Sequence, residues 1–259
     1  MEYIIAGIRI AVPQEFTAGS FGTALAPFAA ADEGPADLSV ETRGEIRQAD
    51  GYRELDEFDF ADADADCRFG RDAEGYLLTM TPRDGSAAAR FRKAFGAPLV
   101  TTDVTLRHNP ALFRFGLWSM FNIAAVARQA AAIHSSVISL NDGAVLFLGE
   151  SGTGKSTHSR MWLENIEGST LLNDDAPAVR ISADSTTAYG TPWSGKTPCY
   201  RAEHYPLAAL VRIRRAPYNQ ITRLNTLQAF GAVLPSCLPT LQQDDRMLDL
   251  SLIHISEPT

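Results

Sequence analysis

The strongest constraint on this chain is one short stretch, Gly149-Glu150-Ser151-Gly152-Thr153-Gly154-Lys155-Ser156-Thr157. It fits G-x-x-x-x-G-K-[ST], a spacing whose chemistry is phosphate binding. The glycines open backbone conformations closed to other residues, so successive N–H groups can turn inward around an anion. Lys155 brings a point charge to the β- and γ-phosphates of a nucleotide, and the Ser156 hydroxyl suits Mg²⁺. The flanks agree. Ala144 to Leu148 is an apolar run that predicts a buried strand. Thr157 to Glu164 holds no Gly or Pro and predicts a helix, whose start adds a positive dipole end and unpaired amides. Gly149, Ser151, Gly152, Thr153, Gly154, Lys155, Ser156 and Thr157 are therefore the expected cradle of a nucleoside triphosphate.

A chain of 259 residues can hold one large domain or two modest ones. Its apolar share of 45% and charged share of 21% are ordinary for a soluble globular protein. A net charge of −8 argues against a nucleic-acid binder that works through a broad basic face. Cys67, Cys199 and Cys237 stand far apart with no C-x-x-C pair, which fits a reducing compartment and offers no metal site. Met1-Glu2-Tyr3-Ile4 lacks the basic start of a signal peptide. The longest apolar segment, 111–133, is broken by Arg114, Asn122 and Arg128, so no membrane span is expected. The expectation is a soluble, cytoplasmic protein with no nucleic-acid or membrane partner. Leu250 to Thr259 reads as the in-frame translation of a sequencing adaptor, which would cut the natural chain near Asp249. Residues 250–259, with His254, are left out of fold reasoning on that ground.

Residues 1–108 predict a small β-rich region. Tyr3 to Val12 predicts one strand closed by Pro13, and residues 14–36 a loop with a short helical turn. Leu38 to Thr42 alternates as a half-exposed strand. The acidic run from Glu54 to Asp66 lacks the Gly and closing Glu of an EF-hand, so a solvated loop is expected. Cys67 to Arg71 and Tyr76 to Thr81 predict strands joined by a turn at Asp72 to Gly75, with a further strand over Val100 to Leu106. No catalytic constellation is visible there. Asn109-Pro110 then opens a helix with a cap residue and a first-turn proline. Leu112, Phe113, Phe115, Trp118, Phe121 and Val126 give it a wide apolar stripe that predicts burial and a bridge into a nucleotide domain over 109–249. Asn141-Asp142-Gly143 joins Ile133–Leu140 to Ala144–Leu148 as a hairpin. An antiparallel strand leading straight into such a glycine loop is unusual among nucleotide-binding folds.

Ser169 to Asp175 predicts a strand ending in two carboxylates. Acids at a strand end beside a phosphate loop can hold Mg²⁺ and can accept a proton from an attacking hydroxyl. Adjacent acids point to opposite sides of an extended backbone, so they divide these roles: Asp174 as base, Asp175 with Ser156 at the metal. Tyr189 to Lys196 is a Gly- and Pro-punctuated loop, read equally as a lid or an ordinary turn. Arg201, Arg212, Arg214 and Arg215 are either phosphate contacts or, in the strand over 207–215, a solvated face.

His134-Ser135-Ser136, the hairpin, the glycine loop, Leu172-Asn173-Asp174-Asp175 and Gly190-Thr191-Pro192-Trp193-Ser194-Gly195 together resemble the C-terminal domain of HPr kinase/phosphorylase. The likeness covers roughly 109–249 and is closer still to HPr-kinase-related proteins, which share a fold with ATP-dependent phosphoenolpyruvate carboxykinase. It implies an α/β P-loop domain with a hairpin beside the loop, ATP and Mg²⁺ as cofactors, and a homo-oligomer. It also places His134, Asp174 and Asp175 at the phosphoryl-transfer centre, facing a serine-type acceptor. A second signature of true HPr kinases is missing; Gly190 to Gly195 stands in its place, so HPr itself is not the expected acceptor. Three functions follow from this pattern: a hydroxyl kinase, a non-catalytic ATP-binding module serving regulation or peptide maturation, and a carboxykinase. The last is disfavoured by the short chain and the lack of an oxaloacetate-binding set.

Overall fold

The computed structural model describes residues 1–195 and 197–237. Lys196 and the adaptor-like segment 250–259 lie outside the described residues. The chain is mixed α/β and forms two compact, mostly β-sheet units, Met1–Ala125 and one beginning at Val126.

The first unit holds strands β1 (Glu2–Ile5), β2 (Ile8–Ala11), β3 (Leu38–Thr42), β4 (Arg53–Phe60), β5 (Ala65–Arg71), β6 (Gly75–Pro82), β7 (Ala89–Ala94) and β8 (Leu99–Thr102). Its helices are α1 (Gly19–Leu25) and α2 (Pro110–Val126), so the Asn109-Pro110 helix belongs with this unit up to Ala125. The sheet order is β1-β2-β3-β8-β7-β6-β5-β4. The stretch expected as one strand, Tyr3 to Val12, is a hairpin. Ala6 (φ 51°) and Gly7 (φ 74°) turn the chain over between β1 and β2. The acidic run is not a loop but the edge strand β4 and the start of β5. Phe58 and Phe60 recur every second residue and share one strand face, where both rings meet Phe115 of α2. The carboxylates between and beyond them gather on Arg83, which pairs with Asp59, Asp64 and Asp66. Under the sheet, Phe113 of α2 stacks on Phe16 at 3.8 Å, and Leu112, Leu117, Met120 and Phe121 are fully buried.

The second unit holds β9 (Ala130–Ala132), β10 (Ser135–Leu140), β11 (Gly143–Leu148), β12 (Thr170–Asp175), β13 (Ala178–Ile181), β14 (Thr186–Tyr189) and β15 (His204–Arg212), with helices α3 (Lys155–Asn165) and α4 (Thr226–Val233). The order is β12-β10-β11-β15-β14-β13-β9, and among the described residues of this unit only β11 and β15 pair in parallel. The expected hairpin is present: Asn141 (φ 47°) and Asp142 (φ 63°) form its two-residue turn, both left-handed as a type I′ turn requires. Ile133, Val137, Leu146, Leu148, Leu172 and Val179 fill the core of this unit. Helix α3 lies against β10, β11 and β12. Phe147 of β11 meets His158 and Trp162 of α3 edge-on at 4.6 and 5.5 Å.

Candidate active site

Strand register brings the candidate residues to one end of the second sheet. Ser135 pairs with Leu148 on one side and with Asp175 on the other. One residue before Ser135, His134 therefore sits beside the start of the glycine loop and beside the paired acids. The parallel strand β15 brings its last residues to the same end, where Arg212 pairs with Leu148. Four strand ends thus converge on residues 149–154.

The loop from Gly149 to Gly154 joins β11 to α3. Gly149 (φ 150°), Gly152 (φ 77°) and Gly154 (φ 106°) all take positive φ, a region that side-chain-bearing residues rarely enter. At Gly149 a Cβ would also lie 2.6 Å from Thr153 Oγ1. Gly154 is the N-cap of α3 and offers no side chain to cap it, so the orphan amides of the first turn remain for an anion. Ser151, Gly152, Ser156 and Thr157 are at the surface of the loop and helix start, with Thr153 half-buried.

Lys155 is the opposite: its side chain turns back under the loop and is 9% exposed. Its ammonium donates to Gly149 O at 2.8 Å, Glu150 O at 3.2 Å and His134 Nε2 at 2.9 Å. An ammonium has three N–H bonds, and here each has an acceptor. Burial lowers the Lys155 pKa, while the charges of Asp175 and Asp174 push the other way. With Nε2 accepting from Lys155, His134 carries its proton on Nδ1 and donates it to Asp175 Oδ1 at 3.0 Å. Ser156 Oγ donates to Asp174 Oδ1 at 3.0 Å.

The structure therefore brings His134, Lys155, Ser156, Asp174 and Asp175 together and separates the acids as two pairs. Its pairing is the reverse of the sequence expectation: the carboxylate on Ser156 is that of Asp174, and Asp175 goes to His134. Neighbouring residues of a strand face opposite ways, which separates the two carboxylates at the end of β12. Asp175 in addition has φ 149°, a strained conformation for a residue with a side chain, worth of order 1–3 kcal/mol.

Two arginines on and after β15, Arg212 and Arg215, lie at the rim. Arg215 donates to Gly152 O, and Arg212 donates to Ala232 O at 2.8 Å while lying 3.8 Å from Glu150 Oε1. Arg201 instead pairs with Glu203 at 3.6 Å. Asn173 and Thr191, which the sequence motifs include without a role of their own, are both fully buried beside the acids. The available signal was an amide in an otherwise apolar strand position, next to the two carboxylates.

Cys67, Cys199 and Cys237 are all free and buried. Burial pushes the Cys67 thiol up to about 12 and the Cys237 thiol up to about 11, out of the reactive range. No helix among the described residues is long and apolar enough to cross a membrane. No protein-family model matches the chain, and a search of curated proteins finds no match.

Proposed function

We propose that the second unit is an HPr-kinase-like P-loop phosphotransferase that moves the γ-phosphate of ATP to a serine-type hydroxyl. One observation carries this reading: a buried lysine within a glycine loop, flanked by a serine–aspartate pair and a histidine–aspartate pair. A site that only binds nucleotide has no need of the second pair.

The donor set suits Mg²⁺. Ser156 Oγ in the first turn of α3 and Asp174 Oδ1 at the end of β12 are hard oxygens 3.0 Å apart. Among the described residues no group of three His, Cys, Asp or Glu is placed to hold a metal alone, and Mg²⁺ is commonly held by one or two protein oxygens together with phosphates and water. Ser156 and Asp174 would hold such an ion, which would supply charge neutralisation to the phosphates of ATP. Everything else falls to the chain. Lys155 exchanges the Gly149 and Glu150 carbonyls and His134 for phosphate oxygens, and the first-turn amides of α3 take the remaining charge. His134 holds the Asp175 carboxylate through Nδ1–H. Asp175 accepts the proton of the acceptor hydroxyl as its oxygen bonds to the γ-phosphorus and the bond from that phosphorus to the β-bridging oxygen of ADP breaks.

The test is transfer of γ-labelled phosphate from Mg-ATP into a cell lysate, with Lys155→Ala and Asp175→Asn as controls. A labelled protein, peptide or metabolite that disappears in both controls supports the kinase and identifies its acceptor. Nucleotide binding with no label moved under any condition removes the kinase and leaves the non-catalytic ATP-binding module.

A further inference from the structure

Two buried polar residues that the mechanism does not use, Asn173 and Thr191, form a polar knot around the acid pair. Both are 0% exposed. Asn173 Nδ2 donates toward Thr191 O at 3.2 Å, Thr191 Oγ1 at 3.3 Å and Trp193 O at 3.2 Å. Asn173 Oδ1 accepts from the amide of Ala176 at 3.0 Å. Thr191 Oγ1 donates to the carbonyl of the same residue, Ala176, at 2.7 Å, and accepts from Trp193 N at 3.3 Å. The Ala176 peptide groups are therefore held on both sides, by one side chain before the acids and by one from the facing loop. Asp174 and Asp175 are the two residues between these fixed points.

The facing loop is also tied to the acids directly. Gly195 N donates to Asp174 O at 2.7 Å, and Asp175 bridges to Ser194. The approach is close enough that a Cβ on Gly195 would lie 3.0 Å from Asp174 O and 3.2 Å from Asp175 Cβ. Asp175 has φ 149° and meets His134, and a strained φ persists only where its surroundings over-determine it. In a buried, fully satisfied network, loss of one hydroxyl leaves several polar groups without partners.

We infer that Asn173 and Thr191 are positioning residues: the knot they form holds Asp175 in its strained conformation and so aims its carboxylate at His134. The inference rests on the proposed phosphotransferase reading for its effect on turnover, but not for its effect on His134.

The experiment uses the full chain as wild type, Thr191→Val, which removes the hydroxyl at nearly constant shape, and Thr191→Ser, which restores it. Thr191→Ala, with room for a water, replaces the valine variant if that one does not fold. Three quantities are read: the His134 ring tautomer in nucleotide-free protein by long-range ¹H–¹⁵N correlation, metal-free affinity for a non-hydrolysable ATP analogue, and turnover. The valine variant is expected to lose the Nδ1–H tautomer preference, hold nucleotide affinity within about threefold, and lose at least about tenfold in turnover. Serine should recover both the tautomer and the rate. Unchanged His134 signals in a folded variant without the hydroxyl would overturn the inference, as would a rate loss matched by equal loss of nucleotide affinity and unrecovered by serine. If wild type transfers no phosphate while the tautomer responds as expected, the phosphotransferase reading falls and the positioning role stands.

Discussion

At the scale of single residues, the site rests on how few polar atoms share each proton. Lys155 gives all three of its donors to protein acceptors, Gly149 O, Glu150 O and His134 Nε2, so a triphosphate, on the proposed reading, would exchange contacts instead of recruiting an idle charge. The two aspartates sit in different pairs, and their amide variants should fail differently. Asp174→Asn, on Ser156, is expected to raise the Mg²⁺ concentration needed for half-maximal nucleotide binding by about tenfold, read by calorimetry at varied Mg²⁺. Asp175→Asn should leave nucleotide affinity within about threefold and lower turnover by about 10²- to 10⁴-fold, read as a kcat effect with little change in KM for ATP. Equal effects of the two variants on both quantities would contradict the division of roles. The loop and both acids were legible from residue type and spacing, and the histidine from the family resemblance. Which acid met Ser156 was not, because alternation along a strand puts neighbours on opposite faces without saying which face meets Ser156.

At the scale of elements, legibility followed hydrophobic pattern and turn chemistry. The Asn141-Asp142-Gly143 hairpin and the strand–loop–helix around Lys155 carry strong local signals, and both are present. The strands β7, β9, β13 and β14 were not foreseen. Ala130–Ala132 has neither β-branched nor aromatic residues and is a strand only because β13 pairs with it. The acidic edge strand β4 was missed for a related reason: its carboxylates suggest solvent, yet Phe58 and Phe60 anchor one face and Arg83 collects charge on the other. Helix α4 depends on a capping box in which Asn225 Oδ1 accepts from Gln228 N at 3.0 Å and Gln228 Oε1 accepts from Asn225 N at 3.1 Å. Asn225→Ala should cost about 1 kcal/mol of stability, seen as a shifted denaturant midpoint with an unchanged slope. A midpoint equal to wild type would show that α4 stands without its cap.

At the scale of the whole molecule, stability in acid should be set in part by one buried ion pair of the first unit. Asp72 and Arg92 have side-chain exposures of 0% and 8% and share bonds of 2.5 and 2.7 Å. Burial pushes the Asp72 carboxyl up, but the Arg92 guanidinium and the amides of Ala49 and Glu74 outweigh it and hold the group down at about 2. A folded value below the ordinary carboxylate value of about 3.9 contributes stability that is fully present above that pH. The contribution is lost as pH falls toward about 2. An acid titration of folding should lose about 2 kcal/mol across that window, and Asp72→Asn should be destabilised at neutral pH while losing this part of the acid dependence. A variant with the same acid profile as wild type would remove Asp72 from the account.

The central claim concerns the glycine loop and can be tested before any acceptor is known. Calorimetric titration with a β,γ-imido analogue of ATP and with AMP, each with and without Mg²⁺, compares phosphate recognition with mere purine binding. The account predicts that the triphosphate analogue binds, that Mg²⁺ strengthens it, and that Lys155→Ala weakens it by at least about tenfold. AMP should bind far more weakly and without response to Mg²⁺. Equal affinity for the two nucleotides, or a triphosphate affinity untouched by Lys155→Ala in a folded variant, would contradict it.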